Sequence, residues 1–259
     1  MDALTADAIA SALKGRFGRP LRAFDSVDST NTSALEWAAQ GAPEGALVVA
    51  DHQTAGRGRW GRAWMSEPGG ALQFSLVLRP RFGLDRLGVL GLALGVACAE
   101  GIEAVTSLPT KVKWPNDVLV EGRKLVGILI ETRVVGAQLD AAVAGIGINV
   151  RWAPDERATS VVTEMDRLSL GEPPARAELL ATVLVAIEDV YRLLDENTPD
   201  VVARAEVRSD LLGREVVVRF ADGRTERGVA TRYLPDGDLE VESDGELRAI
   251  GVAEVQQVR

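Results

Sequence analysis

Between residues 51 and 64 the chain reads DHQTAGRGRWGRAW, which sets Arg57, Arg59 and Arg62 among Gly56, Gly58 and Gly61. Glycines let backbone N–H groups approach an anion closely, and guanidinium groups add charge-assisted donors matched to phosphate or carboxylate. Trp60 and Trp64 offer faces for a planar ring. Together these residue types fit a partner that is both negative and flat. The glycine spacing is neither that of a P-loop nor that of a dinucleotide-binding turn. Such a segment is expected to pack as neither helix nor strand, and like-charge repulsion predicts disorder relieved by an anion. A solvated loop gripping an acidic protein is the plainer alternative.

A second stretch, KWPNDVLVEGRKLVG, covers residues 113–127. Trp114 precedes Pro115 and is therefore extended, so the following turn presents Asn116 and Asp117. Asp117 suits a hard cation held together with phosphates. Lys124 opens a strand from which its ammonium reaches a reacting carboxylate or phosphoryl oxygen. Of 29 basic residues only Lys14, Lys111, Lys113 and Lys124 are lysines, and three of them crowd into this region, as if a compact ammonium were wanted there. A structural turn followed by a hairpin lysine is the competing reading. Ser29, Thr30 and Asn31 sit at a helix N-terminus, where they cap the helix or present donors and acceptors to a polar ring. GIGINV ends a strand with Gly145 and Gly147, which admit close approach of a ligand or backbone, and with Asn149 as a polar probe. His52, the only histidine, reads as structural; no Ser-His-Asp triad or metal-ligand cluster is available.

The elements that must hold these residues follow from periodicity. Residues 5–14 read as a short helix, LRAFDSV as a strand, and DSTNTSALEWAAQG as a capped helix ending at Gly41. ALVVADH and ALQFSLVLRP are strands flanking the Gly/Arg loop, and residues 84–106 form a nearly all-apolar, central helix. VKW, DVLV, KLVGILIETRV and LDAAVAGIGINV read as strands joined by the turns EGRK and VGAQ, and RAELLATVLVAIEDVYRLLDE as an amphipathic helix. This is an α+β arrangement, a mixed, largely antiparallel sheet packed by helices, over residues 1–210. From 211 to 259 three Asp-Gly turns separate short alternating strands, the pattern of a small β-barrel.

Composition excludes several classes. A net charge of −9 argues against general nucleic-acid or anionic-membrane binding. No apolar run reaches the roughly 20 residues that span a bilayer, and the N-terminus lacks the basic start of a signal peptide. The single cysteine, Cys98, forms no internal disulfide, fits a reducing cytoplasm, and reads as a buried helical filler.

DSTN, QTAGRGRWGRAW, KWPNDV followed by GRKLVGILIE, and GIGINV, in this order, resemble the biotin–protein ligase family. The resemblance covers most of residues 25–150, and GRGRxGRxW with KWPND at this separation is highly specific. It implies a synthetase-like catalytic domain followed by an SH3-like barrel. It also implies ATP-dependent conversion of biotin to biotinyl-5′-AMP, then transfer to a lysine of a biotin carboxyl carrier domain. By motif position, Ser29, Thr30, Asn31, Gln53, Gly56, Arg57, Gly58, Arg59, Lys124, Gly127, Gly145 and Gly147 would bind biotin. Arg59, Arg62, Trp64, Asp117 and Asn149 would serve ATP, with Asp117 beside magnesium, and Lys124, Arg57 and Arg59 would be catalytic. ATP, its magnesium and biotin are then substrates, with no permanently bound cofactor. Only 20 residues precede LRAFDSV, too few for the DNA-binding domain of larger members, so a ligase without operator binding is expected. The family includes monomers and homodimers. A lipoate ligase or octanoyltransferase of the same fold is the nearest rival, but the polar residues 29–31 and Gln53 suit a ureido ring better than a fatty chain. A non-catalytic nucleic-acid module is opposed by the charge.

Overall fold

The structure, a computed structural model, describes residues 4–259. Helix α1 (Ala6–Ala12) starts where the Thr5 side chain accepts the Ala8 N–H. Strand β1 (Leu21–Val27) leads to α2 (Thr30–Ala39), which Ser29 caps by accepting from the Thr32 amide. Strands β2 (Leu47–Gln53) and β3 (Ala71–Leu78) flank the Gly/Arg segment. After α3 (Leu87–Thr106) come β4 (Thr110–Lys113), β5 (Asp117–Val120), β6 (Arg123–Val135) and β7 (Gln138–Asn149). Helices α4 (Val161–Leu168), α5 (Arg176–Glu196) and α6 (Thr198–Val207) complete the larger part. The smaller part holds β8 (Glu215–Phe220), β9 (Thr225–Tyr233), β10 (Leu239–Ser243), β11 (Glu246–Ile250) and β12 (Val255–Val258).

The expected α+β class holds. Seven strands form one sheet in the order β1-β2-β3-β7-β6-β5-β4, and only β1 and β2 run parallel. Alternation divides β3 cleanly. Leu72, Phe74, Leu76 and Leu78 enter the main core with α3 and α5, while Gln73 and Ser75 turn to the opposite face. There α2 packs Ala34 and Ala38 against Val48, Val77 and Val143. Two helices, α4 and α6, were not anticipated: each is short, and α6 begins with a proline in its first turn. By length and composition the stretch Leu84–Thr106 matches a membrane span, against the sequence expectation, yet two thirds of its most apolar window is buried. Its hydropathy is that of a core helix, with Leu90, Leu94 and Ile102 fully enclosed.

The second sheet is antiparallel throughout, in the order β11-β10-β9-β8-β12. This sheet and the connector leading into it are tied to the larger part at several places. The Val112 amide donates to Arg208 O at 2.8 Å, and the Asp210 amide to Val112 O at 2.9 Å. Trp114, 1% exposed, donates its indole N–H to Gly237 O at 2.8 Å. At Gly237 itself a methyl group would stand 2.1 Å from the Gly88 carbonyl carbon, so the two parts meet there through bare backbone.

Candidate active site

The floor of the site is a patch of β6 and β7 that has lost its side chains. Gly127 and Gly147 are direct cross-strand partners, and Gly145 faces Leu129 on one side and Ser75 on the other. The space is used by specific groups. A methyl at 147 would lie 2.4 Å from Trp64 Cζ2, one at 127 would lie 2.8 Å from Trp64 Cζ3, and one at 145 would lie 2.2 Å from Asn31 Oδ1. The sequence expected a ligand or backbone to approach these glycines; here an indole and an amide side chain do so.

One wall is the N-terminus of α2. Thr30 donates its backbone N–H (2.8 Å) and its hydroxyl (3.0 Å) to Gln53 Oε1. Gln53 Nε2 donates to Gln73 Oε1 at 2.9 Å, and Ser75 Oγ donates to Asn31 Oδ1 at 2.6 Å. Asn31 Nδ2 donates to Glu131 Oε2 at 2.7 Å. Ser29, Thr30, Asn31, Gln73 and Ser75 are all buried, so this chain of polar groups is held rigidly by its own bonds. Gln73, Ser75 and Glu131 were missed by sequence reasoning. The signal was present: polar residues at 73 and 75, two apart in an otherwise apolar strand, share a face with the glycines paired to them.

The roof is the Gly/Arg segment, which is folded as a short hairpin closed by a 3-10 turn at Arg59–Gly61. The Trp64 amide donates to Gly56 O at 2.9 Å and the Gly58 amide to Arg62 O at 2.7 Å. Mutual repulsion of the arginines is offset because each has its own acceptor. Arg57 bridges to both Glu131 oxygens at 3.2 Å and to Thr32 Oγ1 at 3.0 Å. Arg59 Nη2 donates to the carbonyls of Val252 (2.6 Å) and Val255 (2.8 Å), and Arg62 Nη2 to Gln256 O (2.6 Å). Burial lowers the Arg59 pKa from its ordinary value, with Arg62 adding to the shift and Asp117 opposing it.

Lys124 stands opposite the roof. Its Nζ lies 2.6 Å from Asp117 Oδ1 and 5.8 Å from the Trp64 ring centroid. Its backbone is fixed from behind: the Lys124 amide donates to Arg157 O, and its carbonyl accepts from the Thr159 amide and Asn149 Nδ2. Asn149, 2% exposed, also donates to Thr159 O at 3.0 Å.

The structure therefore gathers Ser29, Thr30, Asn31, Gln53, Arg57, Gly58, Arg59, Arg62, Trp64, Asp117, Lys124, Gly127, Gly145 and Gly147 around one cleft of about 190 Å3, joined by Lys113. Two anticipated residues do not line it. Gly56 lies where the ends of the roof cross, and Asn149 is turned to the backbone behind Lys124. No group of three or more potential metal-ligating side chains occurs among the described residues. Asp117, the one carboxylate lining the cleft, suits an ion carried chiefly by phosphates and does not by itself make a resident metal site.

The fold is that of the biotin protein ligase from Aquifex aeolicus solved with biotin and ATP, which superposes with a TM-score of 0.79 at 31% identity over 93% of this chain and 99% of that one. Residues 23–149 match the biotin/lipoate A/B protein ligase family. The chain is 32% identical over 247 residues to the biotin–[acetyl-CoA-carboxylase] ligase of Mycobacterium tuberculosis, covering 93% of this chain and 90% of that protein. It is 41% identical over 178 residues to the bifunctional ligase/repressor BirA of Bacillus spizizenii, a match spanning 68% of this chain but about half (54%) of that protein. This chain belongs to the biotin/lipoate A/B protein ligase family.

Proposed function

We propose that the protein is a biotin–protein ligase that converts biotin and MgATP to biotinyl-5′-AMP and pyrophosphate, then passes the biotinyl group to a lysine of a biotin carboxyl carrier domain. The observation that carries this reading is the union, in one cleft, of a rigid polar wall, a glycine floor, and five cations: Arg57, Arg59, Arg62, Lys113 and Lys124. The wall (Ser29, Thr30, Asn31, Gln53) offers donors and acceptors to a ureido ring, and the Trp64 indole lying on the glycine floor offers a flat apolar face beside it.

The carboxylate of biotin is already a nucleophile at neutral pH. In the first step its oxygen bonds to the α-phosphorus as the bond to pyrophosphate breaks. No general base is required; what is required is neutralisation of anions that repel one another. Lys124 supplies a positive charge where the carboxylate and the α-phosphate meet, and Asp117 holds that ammonium in place. Asp117, the one carboxylate lining the cleft, would also be the residue to hold magnesium carried in by the phosphates. In the second step the carrier lysine, as a neutral amine, attacks the acyl carbon, AMP leaves, and a proton is released. The roof keeps water from the mixed anhydride between the steps. Residues 1–210, which contain the larger sheet, would form the catalytic domain, and residues 211–259 a separate small domain. Cys98 is fully enclosed and burial pushes its thiol pKa up to about 12, which keeps it unreactive.

Exchange of labelled pyrophosphate into ATP tests the reading, and the exchange is expected to depend on biotin. Folded protein that shows no such exchange, or that takes up lipoate more tightly than biotin, contradicts it. Arg57→Gly removes the bridge from the roof to Glu131 and Thr32, and biotinyl-AMP is then expected to leave about 5- to 10-fold faster, the scale of one net hydrogen bond. Release at the wild-type rate, followed by rapid filtration, would show that the bridge does not hold the roof closed.

A further inference from the structure

Trp60 is the residue of the Gly/Arg segment that this reading leaves without a task. It does not line the cleft itself; 46% exposed, it borders with Arg59 a neighbouring cavity of about 510 Å3 that shares Pro115, Asn116, Ile128 and Leu129 with the cleft. Its backbone is left-handed, φ 60° and ψ 33°, a conformation that a bulky residue keeps only where contacts hold it. One such contact is visible: the indole N–H donates to Val255 O at 2.9 Å. Arg59 and Arg62 reach the neighbouring carbonyls of Val252 and Gln256. The acceptors are themselves fixed, because Val255 pairs with Phe220 of β8.

We propose that Trp60 is a positioning residue that fastens the roof to the C-terminal sheet, so that the segment 252–256 sets how long the roof stays closed. The two arginines cannot do this alone. Both line the cleft, so an incoming anion competes with the carbonyls for their charge. The indole is a neutral donor that does not line the cleft, so an anion held there does not compete for its bond to Val255. The claim about closure over an acyl-adenylate rests on the ligase reading; the fastening itself does not.

The segment carries its own reporter, since Arg57, Arg59 and Arg62 are trypsin sites. The full-length protein is digested briefly and cleavage after these residues is followed by mass spectrometry. Trp60→Phe keeps the ring and removes the N–H, and Trp60→Ala removes both. Cleavage in the roof is expected to accelerate ~5-fold in Trp60→Phe, the scale of one net hydrogen bond, and further in Trp60→Ala, with unchanged cleavage elsewhere. Roof cleavage at the wild-type rate in both variants overturns the proposal. If Trp60→Ala melts early, Trp60→Phe decides. In a second arm, biotinyl-AMP bound to Trp60→Phe is expected to dissociate ~5-fold faster; unchanged dissociation overturns the claim about closure. Wild-type protein that forms no adenylate at all defeats the ligase reading, while the trypsin arm still judges the fastening.

Discussion

Lys124→Ala is expected to slow the proposed adenylate formation by at least ~10²-fold, the scale of removing a single preorganised electrostatic stabiliser from a reaction centre. The argument is one of position. Lys124 sits at the start of β6 with its amide, carbonyl and ammonium all held, by Arg157, Thr159 and Asp117 respectively. A charge fixed in this way needs no reorganisation when two anions are brought together beside it. Removing it also strands Asp117, whose carboxylate then adds to the repulsion it formerly offset. Pyrophosphate exchange at saturating biotin and ATP measures the effect. A rate within a few-fold of wild type would assign Lys124 to the fold rather than the reaction. Arginine at 124 is not expected to restore the rate, since a planar fork does not fit where a methyl at Gly127 would stand 3.0 Å from the lysine Nζ.

Gly145→Ala is expected to weaken the proposed biotin binding by roughly 10²-fold. The added methyl would stand 2.2 Å from Asn31 Oδ1, a distance that carbon and oxygen do not tolerate, so Asn31 must move. Asn31 is bonded to Ser75 and Glu131 and is 4% exposed, so its displacement leaves buried polar groups without partners. Those orphans cost fold stability; affinity falls because each ring group that Asn31 no longer meets is left unpaired in the complex at about 1–3 kcal/mol, and about 3 kcal/mol in all corresponds to the stated loss. Calorimetric titration with biotin reads it directly. Affinity within threefold of wild type would mean that the α2 wall does not recognise the ring.

Much of this architecture was legible before the structure. The β5–β6 and β6–β7 hairpins, the long α5 and the change of texture after residue 210 follow from turn residues and strict alternation, which are local signals. The cleft was partly legible because its glycines, arginines and Lys124 are conspicuous in type and spacing. What lay beyond reading were contacts between distant segments. Nothing local in GRGRWGR announces that its guanidinium groups rest on carbonyls almost 200 residues away, and repulsion was therefore overestimated. Asn149 failed for a related reason: strand alternation alone does not show that residues 157–159 run alongside Lys124 and claim the amide. Glu131 looked like an ordinary strand residue, yet it joins the wall at Asn31 to the roof at Arg57.

The contact of Gly88 with Gly237 sets how the cleft can open. A side chain between two packed segments acts as a cushion that tilts and recovers; two glycines pressed together, with Asp236 O only 2.6 Å from where a methyl on Gly88 would sit, leave nothing to compress. That joint is a hard stop rather than a pivot, and the buried Trp114 indole pins it from the side. Tilting of the small sheet at this joint would cost the buried Trp114 bond to Gly237, so the arginine hairpin, Gly56 to Trp64, is the easier part to move when molecules enter or leave.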